Sequence, residues 1–223
     1  MAKSKKKTGI FFLFIVLVLT IVGLAFLPNY ILKKLYPIRF TEYVEQYAEE
    51  YDMDKHFIYA VIYAESRFDP NAVSHLGASG LMQLMPDTFD WIKYRMKDQR
   101  ELSYQENVFD PEINIQYGTY MLSLLLEEFG DRDVAVMAYH AGRSNVQKWL
   151  DNSKYSDDGK TIHTIPYEDT QKYVNSINKA YLVNCIILCH NKRFIKCACA
   201  VIIGYIKSNI RILYLSISIC FKS

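Results

Sequence analysis

Residues 40–181 carry apolar side chains at helical spacing, and no segment of useful length alternates with the period of two that half-buried strands show. One apolar stripe falls at positions i, i+1, i+4, i+5 and i+8 and consists of Tyr43, Val44, Tyr47, Ala48 and Tyr51. Asp54 is a suitable N-cap for the next helix, and Gly130 is a suitable stop for a long one. The pattern therefore predicts an all-α domain.

The boundaries of the helices follow from caps, glycines and prolines. The predicted helices cover residues 41–51, a segment from Asp54 to before Asp69, and residues 86–94, 110–129, 133–141, 145–150 and 168–181. Irregular segments are predicted over residues 71–80 and 153–163, because glycine and polar residues dominate there.

The N-terminus combines a basic flank with an apolar run. Residues 1–9 contain four lysines, and Thr20 is the only polar side chain in residues 10–27. A helix of these 18 residues would be roughly 27 Å long, just enough for the hydrocarbon core of a bilayer. Because basic flanks stay cytoplasmic, the sequence predicts a single-pass anchor in the cell membrane at 10–27 and a linker at 28–39. The domain at 40–181 would then lie on the extracytoplasmic side.

A cleaved signal peptide and a buried helix are the alternatives for this N-terminal segment. Signal peptides usually have a shorter apolar region and end in a small-x-small cleavage site. The sequence Leu27-Pro28-Asn29-Tyr30 offers no such site, so the uncleaved anchor is the favoured prediction.

The C-terminal residues 182–223 differ in character from the domain. They contain all five cysteines, and no Asp or Glu follows Asp169. Their apolar runs are too short to span a membrane, and they lack the paired knuckles of a zinc site. We therefore predict that the last helix breaks off after Tyr181 and that the chain binds no metal or cofactor. The tail is predicted to be an atypical Cys- and Ile-rich extension, either out of frame or degenerate.

Glu65 is the first candidate for chemistry. Residues 62–64 and Phe68 surround it in sequence with apolar and aromatic side chains. Loss of hydration disfavours the charged form of a carboxyl group and raises its pKa, which a general acid near neutral pH needs. From the residues alone, a surface Glu paired with Arg67 or with a helix terminus is the competing interpretation.

Two further motifs are suited to a ligand groove. In residues 77–86, Gly-Ala-Ser-Gly-Leu-Met-Gln-Leu-Met-Pro, the glycines let backbone approach a ligand, Gln83 can hydrogen-bond sugar groups, and Met85 offers apolar contact. In residues 138–142, Ala-Tyr-His-Ala-Gly, Tyr139 can hydrogen-bond in a cleft and His140 could carry a proton. The alternatives are a tight loop into a core helix and a structural histidine.

Together these motifs resemble the soluble-lytic-transglycosylase-like (SLT) family, whose fold goose-type lysozymes share. The resemblance rests on the order Glu65-Ser66-x-Phe68-x-Pro70, Gly80-Leu81-Met82-Gln83-Leu84-Met85-Pro86, Ala138-Tyr139-x-Ala141-Gly142 and Asp169-Thr170-x-x-Tyr173-Val174. It covers roughly residues 40–181 and implies a lysozyme-like transglycosylase domain. The implied enzyme is a carbon–oxygen lyase that cleaves the β-1,4 bond between N-acetylmuramic acid and N-acetylglucosamine.

The resemblance also implies roles for single residues. Glu65 matches the catalytic Glu of the family. The positions that line the groove of the family or support its acid are matched by Ser74, Gln83, Met85, Tyr139 and Tyr173. His140 stands where the family usually has Asn, and Asp169 stands where it usually has Glu. We expect both to contact substrate, with contacts altered by the exchange.

No second carboxylate is obvious as a partner for Glu65. Glycoside hydrolases generally use two carboxylates, and the candidates here are Asp69, Asp87 and Asp90. The first two suit helix boundaries, and the third suits a solvated position. The resemblance implies instead a lytic transglycosylase reaction, in which the C6 hydroxyl of muramic acid attacks C1 and a 1,6-anhydro product forms without water.

Two other functions stay open at this point. One is a muramidase of the same fold, and the other is a non-catalytic peptidoglycan-binding component of a cell-envelope protein complex. In all cases the expected partners are peptidoglycan glycan strands and, through the N-terminal helix, the membrane. The formal net charge of +2 is too small to indicate a nucleic-acid partner.

Overall fold

A computed structural model describes residues 30–188, together with Thr20, Gly23 and Leu27 before them. The membrane anchor predicted at residues 10–27 lies outside the described residues except at those three positions, and so does the tail after residue 188. Among the described residues, no helix is both long enough and apolar enough to cross a bilayer.

The chain divides into two units, Met1–Pro37 and Ile38–Ser223. In the first unit, residues 30–35 are helical. In the second unit, residues 38–188 form helices and loops but no strand, which confirms the predicted all-α class. The helices are α1 (Thr41–Glu50), α2 (Lys55–Ser66), α3 (Pro86–Met96), α4 (Tyr104–Asn107), α5 (Pro111–Phe129), α6 (Arg132–Ala141), α7 (Arg143–Leu150) and α8 (Glu168–Leu188). The sequence pattern does not predict the short helix α4.

Helix α2 lies at the centre of the second unit. Its residues 57–62 are all buried, so nearly every side of the helix contacts other parts of the domain. The most extensive packing is with α8. Asp54 caps the helix as predicted, because its carboxylate accepts a hydrogen bond from the amide of His56 at 2.8 Å. The core therefore fixes the backbone that carries Glu65 on the last turn of α2.

Helix α8 continues beyond its predicted end. The prediction that it breaks off after Tyr181 is wrong, because the helix extends to Leu188. Its buried stripe runs across this point and comprises Val174, Ile177, Ala180, Asn184, Cys185 and Ile187. The Asn184 side chain also donates to the carbonyl of His56 at 3.4 Å. Burial against α2 therefore sustains the helix where the composition of the sequence changes.

The start of α6 is joined to α2 and α8 through Arg132. Its guanidinium group lies over the ring of Tyr181, 4.4 Å from the centroid, and donates to the Asn178 amide oxygen at 2.9 Å. The Tyr181 hydroxyl in turn donates to the Asp54 carboxylate at 2.7 Å. These contacts hold together the three helices that carry Glu65, Tyr139 and Tyr173.

Candidate active site

Glu65 lies just before a sharp turn at the end of α2. Arg67 and Phe68 both have left-handed backbone conformations, with φ of 53° and 65°. Such conformations are costly for non-glycine residues and persist only where the surroundings impose them. Here Phe68 is buried, and the Ser66 hydroxyl donates to the carbonyl of Leu81 at 2.8 Å. The turn after the helix is thus tied to the loop that precedes α3.

The loop between α2 and α3 folds back on itself through Ser79. The backbones of Ser79 and Leu84 exchange two hydrogen bonds of 3.0 Å each. Gly80 has φ of 83°, and a Cβ atom there would lie 2.1 Å from the side-chain nitrogen of Asn114 and 2.5 Å from the carbonyl oxygen of Val108. Glycine is therefore required at position 80 both by its backbone angle and by the space available.

Asn114 on α5 holds this loop in place, and sequence reasoning missed it. The side chain is buried. Its oxygen accepts from the amide of Met82 at 2.7 Å, and its nitrogen donates to the carbonyls of Ser79 at 3.1 Å and Val108 at 2.7 Å. A polar residue between the apolar residues Ile113 and Ile115 was the available signal, because a buried amide must find partners.

Met82 also contacts α6 and a second residue of α5. The Tyr139 hydroxyl on α6 donates to the Met82 carbonyl at 2.8 Å. A Cβ atom at Gly118 on α5 would lie 2.4 Å from the sulfur of Met82, so the small residue makes room for this buried side chain. The backbone at Met82 is thereby fixed by Asn114 on one side and by Tyr139 on the other.

Tyr173 on α8 contacts Glu65 directly. Its hydroxyl donates to Oε1 of Glu65 at 2.5 Å, and its ring is buried. Burial raises the pKa of Glu65 from 4.5 to about 7, although the hydrogen bond from Tyr173 favours the charged form and opposes this shift. A carboxyl group with this pKa can both donate and accept a proton near neutral pH.

The tyrosines beside Glu65 keep their own protons at neutral pH. Burial raises the pKa of Tyr139 and of Tyr173 well above the usual value, and the nearby charge of Glu65 raises both further. Both phenols therefore act as hydrogen-bond donors, Tyr139 to the loop and Tyr173 to the carboxylate. Neither competes with Glu65 as an acid near pH 7.

His140 and Asp169 lie on the outer side of this cluster. The imidazole of His140 stacks on the ring of Tyr173, with centroids 4.3 Å apart and an interplanar angle of 19°. Its Nε2 atom lies 3.7 Å from Oδ2 of Asp169, whose side chain is 75% exposed. The structure thus brings five of the predicted residues into one cluster: Glu65, Tyr139, His140, Asp169 and Tyr173.

Ser74, Gln83 and Met85 belong to the loop that faces this cluster through Met82. The Ser74 hydroxyl accepts from the amide of Ala78 at 3.0 Å, and the Gln83 side-chain nitrogen donates to two loop carbonyls at 2.9 and 3.0 Å. Met85 is 40% exposed at the start of α3. The polar groups of Ser74 and Gln83 therefore shape the loop, whereas Met85 is open to a ligand.

The structure supplies no carboxylate partner for Glu65 among the described residues. The shift in its pKa has burial and Tyr173 as its causes, with no contribution from a second acid. Asp69 accepts from the amide of Asn71 at 3.0 Å in a turn, and Asp87 lies in the first turn of α3. No group of three acidic, histidine or cysteine side chains in the described part of the chain could hold a metal ion.

A separate cleft of about 830 Å³ lies between α3, α5 and α7. Its walls include the half-exposed Trp91, and the ion pair between Arg143 and Glu128 also lines it. Glu65 and the residues that contact it do not line this cleft. The cluster around Glu65 is therefore separate from this cleft.

Residues 42–162, more than half of the chain, match the profile of the transglycosylase SLT domain. The chain belongs to the SLT transglycosylase family. This membership agrees with the resemblance drawn from the four motifs, and the match spans α1 to the loop before α8.

Curated SLT-family relatives include soluble and membrane-bound proteins. The chain is 30% identical over 148 residues to the soluble lytic murein transglycosylase of Escherichia coli K12, an alignment that covers 66% of this chain and 23% of that protein. It is 27% identical over 179 residues to the membrane-bound lytic murein transglycosylase C of Pectobacterium atrosepticum, an alignment that covers 71% of this chain and 50% of that protein. The chain thus spans about a quarter of the soluble relative and half of the membrane-bound one.

Solved SLT-family structures share the fold. The 70 kDa soluble lytic transglycosylase of Escherichia coli superposes with a TM-score of 0.64 at 27% identity, covering 70% of this chain and 26% of that one. An inactive mutant of the lytic transglycosylase Slt from Pseudomonas aeruginosa gives a TM-score of 0.62 at 28% identity, covering 71% of this chain and 26% of that one. The chain therefore shares its fold with parts of these two proteins.

Proposed function

We propose that this chain is a peptidoglycan lytic transglycosylase that cleaves the β-1,4 bond between N-acetylmuramic acid and N-acetylglucosamine. The observation that carries the proposal is the partly buried carboxyl of Glu65, whose pKa is raised to about 7 and which accepts a hydrogen bond from Tyr173. The names of the relatives, lytic murein transglycosylases, support the same reaction class.

The first step uses Glu65 as an acid. Protonated Glu65 gives its proton to the glycosidic oxygen, the bond from C1 of muramic acid to that oxygen breaks, and the N-acetylglucosamine fragment leaves with a hydroxyl group. Positive charge develops at C1, and the neighbouring N-acetyl group of the substrate can stabilise it. The Glu65 carboxylate that results is stabilised by the Tyr173 hydroxyl at 2.5 Å.

The second step uses the same carboxylate as a base. It removes the proton from the C6 hydroxyl of muramic acid, and O6 forms a bond to C1. The product carries a 1,6-anhydro ring, no water is consumed, and Glu65 is protonated again for the next cycle. One carboxyl with a pKa of about 7 is suited to both roles, so a second acid is not needed.

The products of digestion test this proposal. Purified cell-wall sacculi incubated with the chain should yield muropeptides that are lighter by one water than hydrolysis products and that borohydride does not reduce, as mass spectrometry would show. Reducible muramic-acid ends alone would support a muramidase instead. Binding to sacculi without any released fragment would support a non-catalytic wall-binding component of an envelope complex.

We further propose that the chain is anchored in the cell membrane with its domain on the extracytoplasmic side. The lysine flank followed by the apolar residues 10–27 supports this location, and so do the membrane-bound relatives. After cell fractionation, the chain should remain with the membranes, and a variant lacking residues 1–29 should not. Externally added protease should digest the domain in spheroplasts, and protection of the domain there would contradict the orientation.

A further inference from the structure

His140 covers the ring of Tyr173 at the end of α6. The two ring centroids are 4.3 Å apart, and the planes differ by 19°. The His140 side chain is 31% exposed, whereas Tyr173 is only 9% exposed. The imidazole therefore shields one face of the phenol ring from solvent.

Asp169 contacts the other edge of the same imidazole. Its Oδ2 atom lies 3.7 Å from Nε2 of His140. Asp169 precedes Tyr173 by four residues on α8, so the side chains of Asp169 and Tyr173 lie on one face of that helix. Among the described residues, Asp169 and Tyr173 are the titratable partners of His140. Arg143, which begins α7, is paired with Glu128 instead.

Tyr173 links the imidazole to the proposed acid. Its hydroxyl, at the far end of the side chain, donates to Oε1 of Glu65 at 2.5 Å. A small rotation about the Cα–Cβ bond of Tyr173 would swing the ring and carry the hydroxyl away from the carboxylate, and hydrogen bonds weaken steeply as distance and angle depart from their optimum. A residue that packs against the face of the ring and opposes this swing therefore acts on Glu65 without touching it.

We propose that His140 is a positioning residue, whose imidazole holds the ring of Tyr173 so that the phenol O–H stays on the carboxylate of Glu65. The catalytic consequence rests on the proposed function. The positioning itself is measurable without turnover, because the hydrogen bond from Tyr173 lowers the pKa of Glu65. Loss of the imidazole should raise that pKa, and an aromatic replacement that keeps the stacking should not.

The first experiment is a carbon NMR titration of Glu65 in protein labelled at the glutamate carboxyl carbons. His140→Ala should raise the pKa of Glu65 by about one pH unit, and it should lower kcat on sacculi about tenfold with little change in KM. His140→Phe, which keeps an aromatic ring at this position, should leave the pKa of Glu65 within about 0.3 pH unit of its value in the parent protein. Thermal melts followed by circular dichroism establish that all variants are folded.

A double-mutant cycle with Tyr173→Phe decides whether His140 acts through Tyr173. His140→Ala should change the pKa of Glu65 in the parent protein and should add nothing in the Tyr173→Phe background. An unchanged pKa in His140→Ala, or an equal change in both backgrounds, would overturn the positioning role. Absence of cleavage by the parent protein, with the expected pattern of pKa values, would instead count only against the proposed reaction.

Discussion

Glu65→Gln is expected to reduce the release of fragments from sacculi about a thousandfold, the contribution typical of general acid–base catalysis. The variant keeps the size and hydrogen-bonding shape of the side chain but cannot donate a proton to the glycosidic oxygen.

In the parent protein, activity should fall about tenfold for each pH unit above 7, because Glu65, with a pKa of about 7, then loses the proton that the first step needs.

The same substitution is expected to stabilise the domain at alkaline pH. The pKa of Glu65 is raised in the folded chain from its ordinary value of 4.5 to about 7. Below pH 4.5 Glu65 is protonated in both the folded and the unfolded chain. Between pH 4.5 and about pH 7 it is protonated only in the folded chain, so the free energy of unfolding falls as pH rises. The loss approaches about 3 kcal/mol above pH 7, and the Glu65→Gln variant would not incur it because an amide does not titrate.

Two measurements on one pair of variants separate these effects. Fragment release is followed by mass spectrometry, and thermal unfolding by circular dichroism at pH 4.5 and pH 8. Glu101→Gln is the matched control, since Glu101 is exposed in the loop before α4 and should change neither activity nor stability. Near-normal cleavage by Glu65→Gln would show that another group supplies the proton.

Local rules of the sequence predict much of this fold because they act within a few residues. Asp54 caps α2 and Gly130 ends α5 with φ of 65°, and both positions were recognisable from side-chain chemistry and backbone freedom alone. Glu65 was likewise recognisable as a candidate from the apolar residues beside it. Its pKa depends on burial by other helices, which no local pattern reports.

The features that the sequence did not predict depend on contacts between distant residues. Helix α8 extends past Tyr181 because α2 buries the next turns, although the composition of the chain changes there. Asn114 looks like an ordinary polar residue in a helix until the loop 32 residues earlier folds onto it. The stacking of His140 on Tyr173 similarly arises only when α6 and α8 meet.

Asn114→Ala is expected to destabilise the domain by about 3 kcal/mol and to lower activity beyond the loss of folded protein. The substitution leaves the amide of Met82 and the carbonyls of Ser79 and Val108 without their buried partner. Each such group costs about 1–3 kcal/mol when it stays buried and unsatisfied, and movement of the loop relieves part of this cost.

That movement is the reason to expect a separate effect on activity. The Met82 carbonyl also accepts the hydrogen bond from Tyr139, at 2.8 Å, so a shifted loop displaces the Tyr139 side chain. This side chain lies near Glu65, because its pKa is raised by burial and further by the charge of Glu65. Displacements of about 1 Å can reduce turnover about a hundredfold, so kcat should fall by one to two orders of magnitude at a temperature where the variant is fully folded. Asn175→Ala, at an exposed position of α8, is the matched control. If Asn114→Ala lost stability but kept its kcat, the hydrogen bonds of Asn114 would serve folding alone. The loop at Met82 would then not be part of the catalytic geometry.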